Sequence, residues 1–137
     1  MLMTCFSFSF SAAAKEIAIS ELKGTQLNVY NWGEYISDGA EGTLDVNAEF
    51  EKETGIKVNY TTFDSNENMY NKIKGGGANY DIVIPSDYMI ERMINENLLE
   101  KIDMKHIPNY KNVMEKYKNL YFDPNNEYSV PNNVGMV

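Results

Sequence analysis

From residue 26 onward the chain alternates strand-like and helix-like segments, and this alternation restricts the fold more than any other feature. Gln26-Leu27-Asn28-Val29-Tyr30-Asn31-Trp32 carries β-branched and aromatic residues at period two, which predicts a first strand. Ser37-Asp38-Gly39-Ala40-Glu41-Gly42 crowds turn residues into a loop. A helix is expected from about Leu44 to Thr54, with Val46 and Phe50 on one face and Gly55 at the left-handed cap. Ile56, Val58 and Tyr60 alternate with polar residues as a second strand. Asp64 or Ser65 caps the next helix, through Met69, Tyr70 and Ile73, which Gly75-Gly76-Gly77 terminates. Asp81-Ile82-Val83-Ile84 is almost wholly apolar, the pattern of a central parallel strand buried on both faces. Pro85 ends it, Ser86 or Asp87 caps a third helix, and Ile90, Met93, Ile94 and Leu98 form its apolar stripe. Beyond Asp103 the pattern loosens into short helical turns and an Asp123-Pro124-Asn125-Asn126 turn.

A strand–helix order of this kind implies an α/β fold whose parallel sheet is joined by right-handed crossovers. Ligands in such sheets bind beyond the carboxyl ends of the strands. Two loops stand there: Trp32-Gly33-Glu34-Tyr35 after the first strand and Pro85-Ser86-Asp87-Tyr88 after the third. Each pairs an aromatic side chain with a carboxylate. Indole and phenol faces attract cations, and a carboxylate accepts charge-assisted hydrogen bonds from ammonium groups. A structural reading stands beside this one. Trp32 and Tyr35 can simply finish the core, while Ser86 caps a helix and Tyr88 packs onto it.

Composition favours the same class of ligand. Twenty acidic residues against twelve basic ones leave a net charge of −8, which repels nucleic-acid phosphates and anionic lipid surfaces and attracts cationic solutes. One cysteine, Cys5, and one histidine, His106, supply neither an internal disulfide nor a zinc ligand set. At 137 residues the chain is long enough for one domain with a real core. No apolar run reaches the ~20 residues of a membrane-spanning helix.

Several motifs fail on inspection. Asp64-Ser65-Asn66-Glu67-Asn68 begins like a calcium-binding loop, but Met69 and Gly75 occupy the positions where glycine and a bidentate glutamate are required. The glycine triplet lacks the Lys-Ser/Thr ending of a phosphate loop. Asn59-Tyr60-Thr61 matches a glycosylation acceptor but falls inside a strand. No spacing of carboxylates selects a general acid–base pair.

The ends carry their own signals. Residues 1–14, MLMTCFSFSFSAAA, are uncharged and end in small residues, like the apolar core and cleavage site of a secretory signal peptide, although the basic residues that ordinarily lead it are missing. A buried strand or a disordered tail are the other readings of this stretch. Removal after Ala14 is the preferred expectation, leaving Lys15 first, residues 15–25 as an extension, and a mature chain without cysteine. The run from Tyr128 to Val137 turns apolar where the sequence stops, so a longer protein is expected.

In their order, LNVYNWGEY, FEKETGIKVNYTTFDSNENMYNKIK, YDIVIPSDYMIERM, LLEKID and YFDPNNEYSVP resemble the N-terminal part of bacterial spermidine/putrescine-binding proteins, the extracytoplasmic receptors of polyamine ABC transporters. The resemblance covers residues 26–137. It implies a periplasmic-binding-protein-like fold of type II, with residues 26–137 as a parallel-sheet first lobe and the second lobe missing. It also implies export to the periplasm or cell surface, and capture of spermidine or putrescine for a membrane permease. The full-length receptor is expected to be a monomer with no cofactor and no turnover. The family's ligand contacts map onto Trp32, Glu34, Tyr35, Ser86 and Tyr88, the same two loops that the strand-end rule selects. Gly33 stands where relatives often carry threonine, and Asn133-Val134-Gly135 departs from the tryptophan-glycine pair expected after Pro131. Rival readings are a receptor for another solute and, from other classes, a secreted hydrolase using Glu34 or a surface interaction module. An anion receptor would want basic side chains at the strand ends, where the one arginine, Arg92, does not lie.

Overall fold

A computed structural model describes residues 19–77 and 79–134; the leader-like stretch, Cys5 and the last three residues lie outside the described residues. The described chain follows the expected alternation. Strand β1 (Gln26–Trp32), helix α1 (Val46–Thr54), strand β2 (Lys57–Phe63), helix α2 (Asn66–Lys74), strand β3 (Ile82–Val83) and helix α3 (Asp87–Asn95) succeed one another, followed by short 3-10 turns. The three strands are parallel in the order β2-β1-β3, with β1 in the middle.

Register explains where the core sits. Tyr30 pairs with Thr61 and Val83, and Trp32 with Phe63, so these side chains share one face of the pleat. Helices α2 and α3 cover that face with Met69, Tyr70, Met89 and Met93, all buried. Tyr30 meets Phe63 edge-on at 5.0 Å between ring centroids and stacks on Tyr80 at 4.4 Å. The edge-on geometry is one the ring quadrupole favours over a face-to-face sandwich.

The helix ends behave as their residues require. The Asp45 carboxylate accepts from the Ala48 amide at 2.9 Å and opens α1, while Gly55, at φ 74°, closes it in the left-handed region. The Ser65 hydroxyl accepts from the Asn68 amide at 3.2 Å and caps α2, and the chain turns away at Gly76 with φ 68°. At their far ends α2 and α3 are clamped by Glu96, whose carboxylate accepts from Tyr70 Oη at 2.6 Å, Lys74 Nζ at 2.7 Å and Arg92 Nε at 3.2 Å. These donors hold Glu96 down at a pKa of about 2, Lys74 contributing most.

The structure corrects three expectations about packing. β3 is an edge strand of two residues among those described, and Ile82 is 45% exposed. Val83 packs against the core, while Ile82 and the half-buried Ile84 point to the opposite face. Helix α1 forms as expected, but Val46 and Phe50 are exposed and none of its residues is buried. It is held instead by polar contacts, of which the shortest runs from the Val58 amide to the Glu51 carboxylate at 2.6 Å. The α3 stripe is also shifted: Met89, which the pattern does not include, is as deeply buried as Met93.

The segment after α3 owes its shape to side chains rather than to long elements. The buried Asp123 carboxylate accepts from the amides of Glu127, Tyr128 and Ser129 and from the Ser129 hydroxyl, all between 2.8 and 3.0 Å. This is the Asp123-Pro124-Asn125-Asn126 turn expected from the sequence, closed by the Asn126 amide donating to the Asp123 carbonyl at 3.0 Å.

Candidate functional site

All three strands are parallel, so Trp32, Phe63 and the turn at Pro85 fall at one edge of the sheet. There an open depression of about 460 Å³ is lined by Trp32, Gly33, Glu34, Tyr35, Thr62, Phe63 and Asp64. Its floor is aromatic. The Trp32 ring lies 4.5 Å from Phe63 and 6.0 Å from Tyr35, centroid to centroid. The Trp32 amide donates to the Asn31 side-chain oxygen at 2.7 Å, which fixes the backbone where β1 gives way to the loop. Its rim is acidic. Glu34 is exposed and unpaired among the described residues. Asp64 accepts from the Asn68 side-chain amide at 2.8 Å, and that bond holds its carboxyl below the usual range. No basic residue lines the depression. It can therefore offer π faces and carboxylates to a cation, and little to an anion.

Of the five residues singled out in the sequence, the structure brings Trp32, Glu34 and Tyr35 into this depression. Ser86 and Tyr88 do not line it. They meet instead in a neighbouring network at the same sheet edge, built around Asn66 at the start of α2. Asn66 Nδ2 donates to Ser86 Oγ at 3.0 Å and to Tyr88 Oη at 2.9 Å, and Asn66 Oδ1 accepts from the Ser86 amide at 3.1 Å. Tyr88 Oη donates onward to Glu67 at 3.1 Å. The capping role expected of Ser86 is not observed. It occupies the cap position of α3 but makes no side-chain cap bond, because its hydroxyl is engaged by Asn66. Tyr88 is exposed rather than packed down on its helix.

Sequence reasoning missed Thr62, Phe63, Asp64, Asn66 and Glu67, all at or just after the end of β2. The signal is present, since the rule that ligands gather beyond strand carboxyl ends applies to β2 as much as to its neighbours. Failure of Asp64-Ser65-Asn66-Glu67-Asn68 as a calcium loop does not exclude these side chains from a site of another kind. Among the described residues no cluster of three or more His, Cys, Asp or Glu side chains could hold a metal ion.

The aromatic, carboxylate-lined depression thus lies at the carboxyl edge of the parallel sheet, where open α/β folds bind their ligands. Residues 33–137 match the bacterial extracellular solute-binding protein family, and the chain belongs to that family. The spermidine/putrescine-binding periplasmic protein of Salmonella typhimurium is 46% identical over 107 residues, which are 77% of this chain and 29% of that protein. The putrescine-binding periplasmic protein PotF of Escherichia coli is 34% identical over 125 residues, 88% of this chain and 32% of that one. Among solved structures, the spermidine/putrescine ABC transporter substrate-binding protein PotD of Streptococcus pneumoniae superposes with a TM-score of 0.72 at 47% identity, covering 78% of this chain and 31% of its own. The fold is thus the α/β periplasmic-binding-protein type, of which the described residues form part of the first lobe. These relatives are solute-binding proteins rather than enzymes. The chain spans about a third of their length.

Proposed function

We propose that this chain is the first-lobe portion of an extracytoplasmic receptor that binds spermidine or putrescine and delivers it to an ABC transporter permease. The observation that carries the reading is the depression itself: aromatic side chains of Trp32, Tyr35 and Phe63 beneath the carboxylates of Glu34 and Asp64, without a basic lining residue. Methylene groups of a polyamine would lie on the rings. Its ammonium groups would gain roughly 0.5–2 kcal/mol each from a π face and more where water is excluded. Carboxylates at the rim accept the remaining N–H donors. Relatives named for spermidine and putrescine, at 46% and 47% identity, support the same assignment. An anion receptor finds no support, since Arg92 is engaged by Glu96 and stacked 4.0 Å from the Tyr70 ring, far along the helix from this edge.

In this reading residues 1–14 are an export signal, 15–25 an extension, and 26–137 the first lobe of a monomeric receptor that needs no cofactor. Ser86 and Tyr88 contact the ligand beside the depression. Titration calorimetry with spermidine and putrescine, on the natural polypeptide at its full encoded length, tests the assignment. Binding that weakens in Glu34→Gln and Asp64→Asn, and weakens again with added salt, is the expected result. Absence of polyamine binding by the unaltered protein would refute it.

A further inference from the structure

We propose that Asn66 is a positioning residue that fixes the hydrogen-bond polarity of the Ser86–Tyr88 loop and so selects ligands bearing N–H donors. The proposal rests on the polyamine reading above. Asn66 is only 5% exposed and is the first residue of α2, whose cap is the preceding Ser65. Its amide is therefore not needed to start the helix, and its side-chain bonds run 20 to 22 residues along the chain to the loop after β3.

The direction of each bond follows from a single backbone group. The Ser86 N–H can only donate, so the atom 3.1 Å from it must be the Asn66 oxygen. The amide nitrogen then faces Ser86 Oγ and Tyr88 Oη, and both of its hydrogens are used on them. Both hydroxyl oxygens must accept. Tyr88 sends its one proton to Glu67, at 3.1 Å. Ser86 Oγ has two acceptor positions and keeps one after bonding Asn66, its own proton remaining free to rotate. The Tyr88 oxygen is left with no donor of its own to offer, and a carboxylate stands beside it. A primary ammonium group satisfies such a surface. A quaternary ammonium, which has charge but no N–H, gains only the π faces of the adjoining depression.

The test compares putrescine with its fully N-methylated, bis-quaternary analogue by calorimetry on the full-length natural polypeptide. Hydrogen bonds to charged groups are each worth enough that Asn66→Leu should weaken putrescine roughly tenfold or more. The analogue should stay within about twofold, because its cation–π contacts do not pass through Asn66. The preference for the N–H ligand therefore collapses. If leucine prevents folding, Asn66→Ser takes its place; its hydroxyl cannot reach both partners, and the same collapse is expected. A role in stability alone predicts a lower melting temperature with the ligand ratio unchanged, and that result overturns the proposal. If the unaltered protein binds neither ligand, the polyamine reading falls and this role with it. If it binds putrescine and the variants keep its ratio, only the role of Asn66 falls.

Discussion

Replacing Trp32 with leucine separates a ligand platform from a core residue. The indole sits half-buried between Phe63 at 4.5 Å and Tyr35 at 6.0 Å, so it contributes both to packing and to the open surface of the depression. Leucine keeps part of the apolar volume and removes the π system. Losing ring–ring contact with Phe63 should cost about 0.5–1.5 kcal/mol of stability beyond lost area. For a lobe-sized domain that corresponds to a melting-temperature drop of about 2–4 °C per kcal/mol. Binding should suffer separately. A polyamine spanning the depression would lose one π face and the apolar contact of its methylenes, together about 1–3 kcal/mol, or roughly five- to 150-fold in affinity. Calorimetry with spermidine and putrescine, run beside a thermal melt of the same full-length preparations, reads both effects. A lowered melting temperature with affinity unchanged within twofold would show that Trp32 only finishes the core, and the platform reasoning would be wrong.

Other outcomes follow from single contacts. The Glu96 carboxyl is lowered from 4.5 to about 2, so its ionised form stabilises the fold above the unfolded value and that contribution is lost as pH falls between them. Glu96→Gln should therefore flatten the acid limb of stability over this window, measured as the urea midpoint against pH; an unchanged limb would contradict the clamp. Gly55→Ala places a side chain at φ 74°, with its Cβ 2.6 Å from Lys23 Cγ, and should destabilise by about 1–2 kcal/mol even after the lysine swings away. A chemical melt matching the parent would remove the left-handed requirement. Edman sequencing of the exported protein should begin at Lys15, and a start at Met1 or Cys5 would contradict cleavage after Ala14.

Elements whose signals are local are legible in the residues themselves. The period of β1, the cap at Ser65 and the left-handed Gly55 all appear where the residues demand them. Trp32, Glu34 and Tyr35 stand out because they sit on one loop at a strand end, which topology alone makes a binding edge. What escapes depends on residues distant in sequence. Asn66 means nothing until β1 brings the loops after β2 and β3 to the same edge, where Ser86 exchanges a helix cap for an amide partner. Likewise the apolar run at residues 81–84 reports how much burial a strand can bear, not which neighbours flank it, and so it points to the centre of the sheet while β3 lies at the edge of the three described strands. The face of α1 fails for a related reason: Val46 and Phe50 form a stripe, but both remain more than a third exposed and join no buried core.

Met69, Met89 and Met93, the largest fully buried side chains among the described residues, join α2 and α3 to the sheet and give the lobe a built-in recorder of its own breathing. A thioether is converted to a sulfoxide only when an oxidant can reach it. Met114, at 59% exposure, is open to the same reagent in the same molecule. Under dilute peroxide, Met114 should mark the passage of time, while the three interior sulfurs register how much of it the helices spend lifted from the strands. The ratio of the two, followed peptide by peptide in a mass spectrometer, would give the fraction of time this lobe spends open without any label being added.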